Sequence, residues 1–193
     1  MPTEPSSPPT RRADAERNRY KIFEAARAAF ADPEAEVSMA EISRRAGVGM
    51  ATLYRNFPGR RELLEALYTE EVNVVCEAAE TAGGETAGAA LMAWLRRFFA
   101  FATSKRHVAT ELLKDSDGSN AVFGESRPRV IAAGRPLFDA AKQAHEIRDD
   151  LTLEQILDMV VAIATIHADP LYLDPILQTA LDGLLPPTGV GSA

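Results

Sequence analysis

Hydrogen-bonding side chains of several kinds stand close together between residues 50 and 56. Thr52 and Tyr54 carry hydroxyls, Arg55 carries a guanidinium and Asn56 carries an amide. Such groups can bind the edges of nucleobases and the oxygens of phosphates. They can do so together only if a short element presents them on one side, and the flanking residues predict such an element.

Two short helices joined by a tight turn are predicted over residues 38–57. Ser38 begins the first helix as its N-cap, and Glu41 three residues later completes a capping box. Gly47 ends this helix at a position that favours a left-handed backbone, and the second helix runs from Gly49 to Phe57. Apolar residues of both helices can face inward and lock them together: Met39, Ile42, Ala46, Val48, Leu53 and Phe57.

The outward side of the second helix then carries a mixed set of residues: Met50, Ala51, Thr52, Tyr54, Arg55 and Asn56. This length and layout are typical of a helix-turn-helix, which places its second helix in the major groove of DNA. A generic pair of helices produces the same spacing by chance, so the layout by itself leaves both interpretations open.

Length and composition indicate an ordinary globular chain and exclude several classes of protein. The 193 residues are 46% apolar and 25% charged. The longest apolar runs, 89–95 and 159–164, are far shorter than the ~20 residues that span a bilayer, so we expect no membrane partner. The single cysteine and three scattered histidines predict neither a disulfide nor a metal site. Because the N-terminal residues do not resemble a secretory signal, we expect a cytoplasmic protein.

An all-α fold is predicted, because the chain contains 33 alanines and its apolar residues recur at spacings of three and four. The tails, 1–10 and 186–193, are rich in Pro, Ser and Gly and predict disorder. Pro128 and Pro136 mark a start or a kink within the seventh of about nine helices. We expect these helices at 12–31, 38–45, 49–57, 59–80, 86–104, 105–115 and 121–145, then from Thr152 and from Asp169 or Asp174.

Charge is distributed unevenly along the chain. The net charge is −7 overall, but +1 over residues 1–68 and −8 over residues 69–193. The basic residues of the first part cluster at residues 11–27 and in and around the two short helices, which allows an anionic partner despite the acidic total. A solvated helix face is the commoner explanation of such a charge run.

The string SMAEISRRAGVGMATLYRNFPGRRELLEAL, residues 38–67, resembles the DNA-binding signature of the tetracycline-repressor (TetR) family. Residues 11–19 also resemble the first helix of that family. Within the string 38–67, Gly49 and Asn56 differ from the residues that are most frequent in the family at those two positions. Beyond residue 68 only the helical character matches. The matching positions are Ile42, Ala46-Gly47-Val48, Thr52-Leu53-Tyr54, Phe57-Pro58, Arg60 and Leu63-Leu64.

The resemblance implies a transcriptional regulator, acting as a repressor, that binds a pseudo-palindromic DNA operator as a homodimer and is released by a small-molecule effector. It implies a three-helix DNA-binding domain at 11–58 and a helical effector-binding and dimerisation domain at 59–185. No cofactor and no catalytic residue are predicted. Carried over residue by residue, base contacts fall to Met50, Ala51, Thr52, Arg55 and Asn56, and contacts to the DNA backbone fall to Ser38, Arg44, Tyr54 and Arg60.

Two further sites are predicted in the second domain. Trp94, Phe98 and Phe101 would line an effector pocket, although an aromatic stripe at helical spacing is more often core. The basic residues near them would either bind an anionic effector or face solvent: Arg96, Arg97 and Arg106. Apolar stripes of the last two helices form either the dimer interface or intramolecular core, and the resemblance favours the dimer: Ile156, Val160, Ile163, Leu177, Leu181 and Leu184.

Two other functions stay open. A small all-α enzyme is disfavoured because no nucleophile and base pair, phosphate-binding glycine loop or metal-ligand motif is visible in the sequence. A helical interaction module that has lost operator binding is the other alternative. Gly49, Met50 and Ala51 are the positions where such a loss would show.

Overall fold

The computed structural model describes residues 9–30, 37–114 and 121–186, which contain helices and connecting turns and no strand. The predicted all-α fold is confirmed. Within these ranges no helix is both long and apolar enough to cross a membrane. The predictions for the tail residues 1–8 and 187–193 lie outside the described residues. The eight helices of the described ranges are α1 (Pro9–Phe30), α2 (Met39–Ala46), α3 (Met50–Asn56), α4 (Arg60–Glu80), α5 (Ala87–Lys114), α6 (Ala121–Gln143), α7 (Leu153–Ala164) and α8 (Pro170–Asp182).

The chain divides into two compact units, with the division in sequence between Leu67 and Tyr68. The first unit contains α1, α2, α3 and the beginning of α4. Its core forms because each helix turns an apolar residue inward, and the rings of Phe23 and Phe57 lie 5.4 Å apart between centroids. The buried side chains of this unit include Ile22, Phe23, Ile42, Leu53, Phe57, Leu63, Leu64 and Leu67.

The second unit is organised around α5, which packs against α6 and α7, while α7 also packs against α8. The prediction of two helices over residues 86–115 is wrong, because α5 is continuous over 28 residues. The apolar stripe that begins at Leu91 continues through Val108 to Leu112, and both of these later residues are buried. Nothing in the sequence near Ser104 interrupts the helix, since the nearest glycine or proline lies well away from it.

Helix ends in the second unit follow standard capping chemistry. Thr152 and Gln155 form a reciprocal capping box at the start of α7. Asp169 caps α8, and Pro170 occupies its first turn, so the earlier of the two predicted starts is the observed one. α6 runs through both Pro128 and Pro136, and neither proline is its start.

The residues predicted for the dimer interface are buried inside the single chain, so this prediction is wrong. Their exposed fractions lie between 0% and 8%, and all belong to the hydrophobic core of the second unit. The periodic stripe correctly indicated that these side chains are buried, but it did not indicate that helices of the same chain bury them. The residues concerned are Ile156, Val160, Ile163, Leu177, Leu181 and Leu184.

Candidate nucleic-acid interface and ligand cavity

The turn between α2 and α3 is fixed by backbone geometry that only some residues tolerate. Gly47 ends α2 with a left-handed backbone, φ 63°, as its position in the sequence predicts. The N–H of Gly47 donates to the carbonyl of Arg44 and that of Val48 to the carbonyl of Ser43, which is a Schellman motif. The Ser43 hydroxyl adds a third bond by donating to the Val48 carbonyl at 2.6 Å. The orientation of α3 relative to α2 is therefore closely defined.

Leu53 faces the core from the middle of α3 and is wholly buried, which turns the opposite side of this helix to solvent. Met50 is 39% exposed and Tyr54 is 46% exposed, one helical turn apart. Ala51 and Arg55 form a second exposed pair at the same spacing. The predicted outward surface of α3 is thus present as a continuous exposed strip.

Two of the predicted contact residues on α3 are only half-buried rather than exposed, namely Thr52 and Asn56. The Asn56 amide donates to the Thr52 carbonyl at 2.8 Å, one turn back along the helix. This bond uses the amide nitrogen of Asn56 within the helix. Reading a base with that nitrogen would require the bond to be exchanged.

Ser38 caps α2, because its hydroxyl accepts a hydrogen bond from the N–H of Glu41 at 3.2 Å. The predicted reciprocal bond of a capping box is not formed among the described residues. The Glu41 carboxylate instead accepts from Arg44 at 2.9 and 2.7 Å and from Arg45 at 2.6 Å. The hydrogen bonds from the two guanidiniums lower the pKa of Glu41 to about 2, so this cluster stays ionised at neutral pH.

Two other basic side chains of the first unit lie over aromatic rings. The Arg19 guanidinium carbon is 4.9 Å from the ring centroids of both Phe23 and Phe57. That of Arg60 lies 5.4 Å from the centroid of Phe30. These contacts hold both cations close to the surface of the folded unit. The role of Arg19 was not predicted, because a ring stacked under a cation leaves no pattern in the sequence.

A cavity of about 360 Å³ lies within the second unit, between α4, α5, α6 and α7. Phe98 and Phe101 belong to its wall, whereas Trp94 does not. The indole N–H of Trp94 donates to the Val75 carbonyl at 3.1 Å, and the side chain is wholly buried in the core. The wall is formed by Tyr68, Val72, Phe98, Phe101, Ala102, Lys105, Arg106, Ala109, Thr110, Ser126, Arg127, Val130, Leu157, Val161, Ala164 and Thr165.

Most of the cavity wall is apolar, and three aromatic rings form one side of it. Phe101 lies 6.0 Å from Tyr68 and 6.1 Å from Phe98 between ring centroids. Burial raises the pKa of the Tyr68 hydroxyl, so this group stays protonated at neutral pH. Sequence periodicity could not identify Tyr68 as a wall residue, because it belongs to α4 and the other two rings belong to α5.

A nearly buried ion pair links α4 to α5 beside the cavity. Lys105 lies in the cavity wall, and its ammonium nitrogen is 3.1 Å from a carboxylate oxygen of Glu71. The exposed fractions of the two side chains are 6% and 14%. Among the described residues no group of three or more potential ligand side chains could hold a metal ion.

Comparisons with known proteins give matches over both units. A family model described as bacterial regulatory proteins of the tetR family matches residues 22–67. A model described as the C-terminal domain of SbtR-like transcriptional regulators matches residues 86–186. No match was found among the curated proteins.

Solved structures of bacterial regulators resemble the chain over nearly its whole length. A TetR transcriptional regulator of Streptomyces coelicolor is 36% identical, with 88% of this chain and 99% of that chain covered and a TM-score of 0.74. A TetR regulatory protein of Mycobacterium vanbaalenii is 28% identical, with 90% and 98% covered and a TM-score of 0.72. The regulator FadR of Bacillus subtilis, solved in complex with stearoyl-CoA, is 18% identical, with 89% and 99% covered and a TM-score of 0.62, and this likeness shows only the fold.

Proposed function

Because the chain belongs to the TetR family of bacterial regulatory proteins, we propose that it represses transcription by binding a pseudo-palindromic operator as a homodimer, and that a small molecule releases it. Proteins of this family are DNA-binding regulators without enzymatic activity, so family membership confirms the prediction that this chain is not an enzyme. A regulator of this kind acts where the chromosome is, and we propose the cytoplasm as its location.

The exposed strip of α3 is the observation that carries the DNA-binding proposal. An α-helix fits into the major groove, where exposed side chains can bond to base edges. Tyr54 and Arg55 stand on the solvent side of α3, while Leu53 anchors the helix to the core. Because α2 and α3 are joined through the fixed geometry at Gly47, they would dock on the duplex as one rigid piece, with α3 in the groove and α2 against the DNA backbone.

Contacts to phosphates supply the part of the affinity that does not depend on sequence. Ser38, Arg44 and Arg60 are the proposed backbone contacts, together with the Tyr54 hydroxyl. The Arg44 side chain is 74% exposed, which gives it access to a phosphate. The Arg44 guanidinium already donates two hydrogen bonds to the Glu41 carboxylate, so a phosphate would have to displace that carboxylate. We infer that Glu41 weakens the contact between α2 and the DNA backbone.

A second copy of the chain would cover apolar side chains that the single chain leaves in solvent. Leu171 is 86% exposed and Tyr172 is 60% exposed at the start of α8, and Ile166 just before them is 37% exposed. Apolar side chains grouped in this way favour a partner surface. Leu171→Asp should therefore shift the sedimentation of the protein from dimer to monomer. A dimer that survives this change would place the interface elsewhere.

Selection of bound sequences from a random duplex library, repeated at two salt concentrations, tests the proposed function. Two-fold symmetry predicts one pseudo-palindrome whose half-sites lie about 34 Å apart or at a multiple of that distance. Recovery of only salt-sensitive, sequence-independent binding would contradict the proposal and favour an interaction module without an operator. Tyr54→Phe serves as a matched variant, because it removes one hydroxyl and should weaken binding to every recovered sequence alike.

A further inference from the structure

The wall of the cavity carries three positive charges and, among the described residues that form it, no negative one. Lys105, Arg106 and Arg127 are the three cations. All other wall residues are apolar or uncharged. The cavity wall therefore combines apolar side chains with three basic ones, and the balance of these charges decides which ligand it accepts.

Two of the three cations are neutralised by carboxylates that stand outside the wall. Lys105 forms its ion pair with Glu71 at 3.1 Å. Arg127 makes a bidentate pair with Asp158, with distances of 2.7 and 3.1 Å. A ligand anion at either cation would compete with a carboxylate that is already in place.

Arg106 differs from the other two cations in its partners. One terminal nitrogen of its guanidinium donates to the carbonyls of Ala164 and Ile166, at 3.4 and 3.1 Å. Both acceptors are uncharged: Ala164 is the last residue of α7, where carbonyl groups lack partners within the helix, and Ile166 lies two residues beyond it. Arg106 thus stabilises the end of α7, but no carboxylate of the described residues balances its charge.

The Nε–H of Arg106 is also unsatisfied. This nitrogen is shut off from solvent and has no hydrogen-bond acceptor among the residues that the structure describes. A buried donor without an acceptor destabilises the folded state. Stabilisation of α7 does not explain it, since that role uses a terminal nitrogen. The Nε atom is closed off from the cavity as well as from bulk solvent, so a ligand carboxylate in the cavity would balance the charge of the guanidinium without reaching Nε.

We propose that the cavity binds a small molecule that has an apolar ring body and a single carboxylate, with the carboxylate on Arg106 and the body against Tyr68, Phe98 and Phe101. The inference rests on the proposed function, since it specifies the effector of that regulator. A monoanion fits because one cation, not three, lacks a carboxylate partner. A cationic ligand would face repulsion from the wall, and a neutral one would leave the Arg106 charge unbalanced.

Calorimetric titration of the full-length protein with 2-naphthoate and with 2-naphthamide tests this proposal, because the two probes share a ring system and differ in charge. We expect the acid to bind about 10- to 100-fold more tightly than the amide, as a charge-assisted hydrogen bond would give. Equal affinities, tighter binding of the amide, or no binding of the acid would each overturn the proposal.

Arg106→Met should abolish the preference for the acid while leaving the affinity for the amide largely unchanged. Arg97→Met is the matched control, because it removes the same charge from the exposed, opposite side of α5 and should change neither affinity. A preference for the acid that survives Arg106→Met would refute the assigned anchor. If Arg106→Met does not fold, Arg106→Lys keeps the charge without the planar guanidinium and should reduce the preference rather than preserve it.

The titration contains no DNA, so its result is independent of operator binding. A preference for the acid in a protein that selects no operator would leave the ligand class standing and contradict the proposed function. An operator selected by a protein that does not prefer the acid would support the proposed function and contradict the proposed ligand class. Release of the selected operator by 2-naphthoate, but not by 2-naphthamide, would support both.

Discussion

Gly134 stands in the middle of α6 against the six-membered ring of Trp94, and replacing it by alanine should strongly destabilise the second unit. A Cβ atom at this position would fall 2.5 Å from Cζ3 of the indole and closer still to Cη2. Real Cβ atoms essentially never lie so close to another side chain. The indole cannot move away easily, because it is wholly buried and its N–H is bonded to the Val75 carbonyl.

The expected size of the effect follows from two opposing contributions. Replacing glycine by alanine inside a helix stabilises it by about 1 kcal/mol. Overpacking of a filled core destabilises by about 1–3 kcal/mol, and the clash at Gly134 belongs at the upper end. The net change expected for Gly134→Ala is therefore a loss of about 2 kcal/mol in the free energy of unfolding.

Gly124 provides a matched control in the same helix. A Cβ atom there meets no described atom within 4 Å, so Gly124→Ala should stabilise the protein by about 1 kcal/mol. Urea unfolding followed by tryptophan fluorescence measures both variants, at one fixed protein concentration. Trp94 is the sole tryptophan of the chain, so this signal reports the second unit alone.

A double variant separates the steric clash from other effects of the new methyl group. Trp94→Phe removes the part of the indole that the methyl would strike, so Gly134→Ala should cost much less in that background. A loss at Gly134 that is equal in both backgrounds would refute the steric reasoning. So would a stabilisation by Gly134→Ala as large as that by Gly124→Ala.

Three further predictions concern single side chains. Glu41→Gln frees Arg44 and Arg45 from their carboxylate and should therefore strengthen operator binding. The salt dependence of binding should steepen by about one unit of slope for each additional phosphate that a guanidinium neutralises, whereas an unchanged slope would mean that neither guanidinium reaches the DNA backbone. Arg55→Ala should alter the base preference at one position of the operator, measured by repeating the library selection, whereas a uniform loss of affinity would assign this side chain to a phosphate. His145→Gly should raise the midpoint of thermal unfolding slightly, because His145 has φ 55° and left-handed backbone costs a non-glycine residue about 1–2 kcal/mol; a lower midpoint would show that the imidazole stabilises the fold.

The features that the sequence predicted well are those decided within a few residues of chain. Gly47 and the cap at Ser38 depend on local backbone geometry, so both were correct. The same geometry recurs after α6, where the N–H groups of His145 and Glu146 close a second Schellman motif without a glycine. A left-handed backbone favours glycine, and His145 adopts it here at φ 55°.

The features that the sequence predicted poorly depend on which helices, distant in sequence, pack against each other. The stripe that includes Val160 and Leu177 is apolar because it is buried, but periodicity cannot distinguish a partner subunit from the chain's own core. Trp94 and Phe98 share a stripe for the same reason, and only Phe98 reaches the cavity. The cavity itself draws its wall from four helices, and no local pattern of residues identifies such an assembly.

The ion pair between Glu71 and Lys105 constrains how the sequence of this protein can drift. Losing one partner of a buried pair costs about 3–5 kcal/mol, which is a large share of the roughly 5–15 kcal/mol that keeps a domain folded. Replacing both partners by apolar residues of similar volume is often neutral. Descendants of this chain should therefore retain both charges or neither, so substitutions at positions 71 and 105 should occur together.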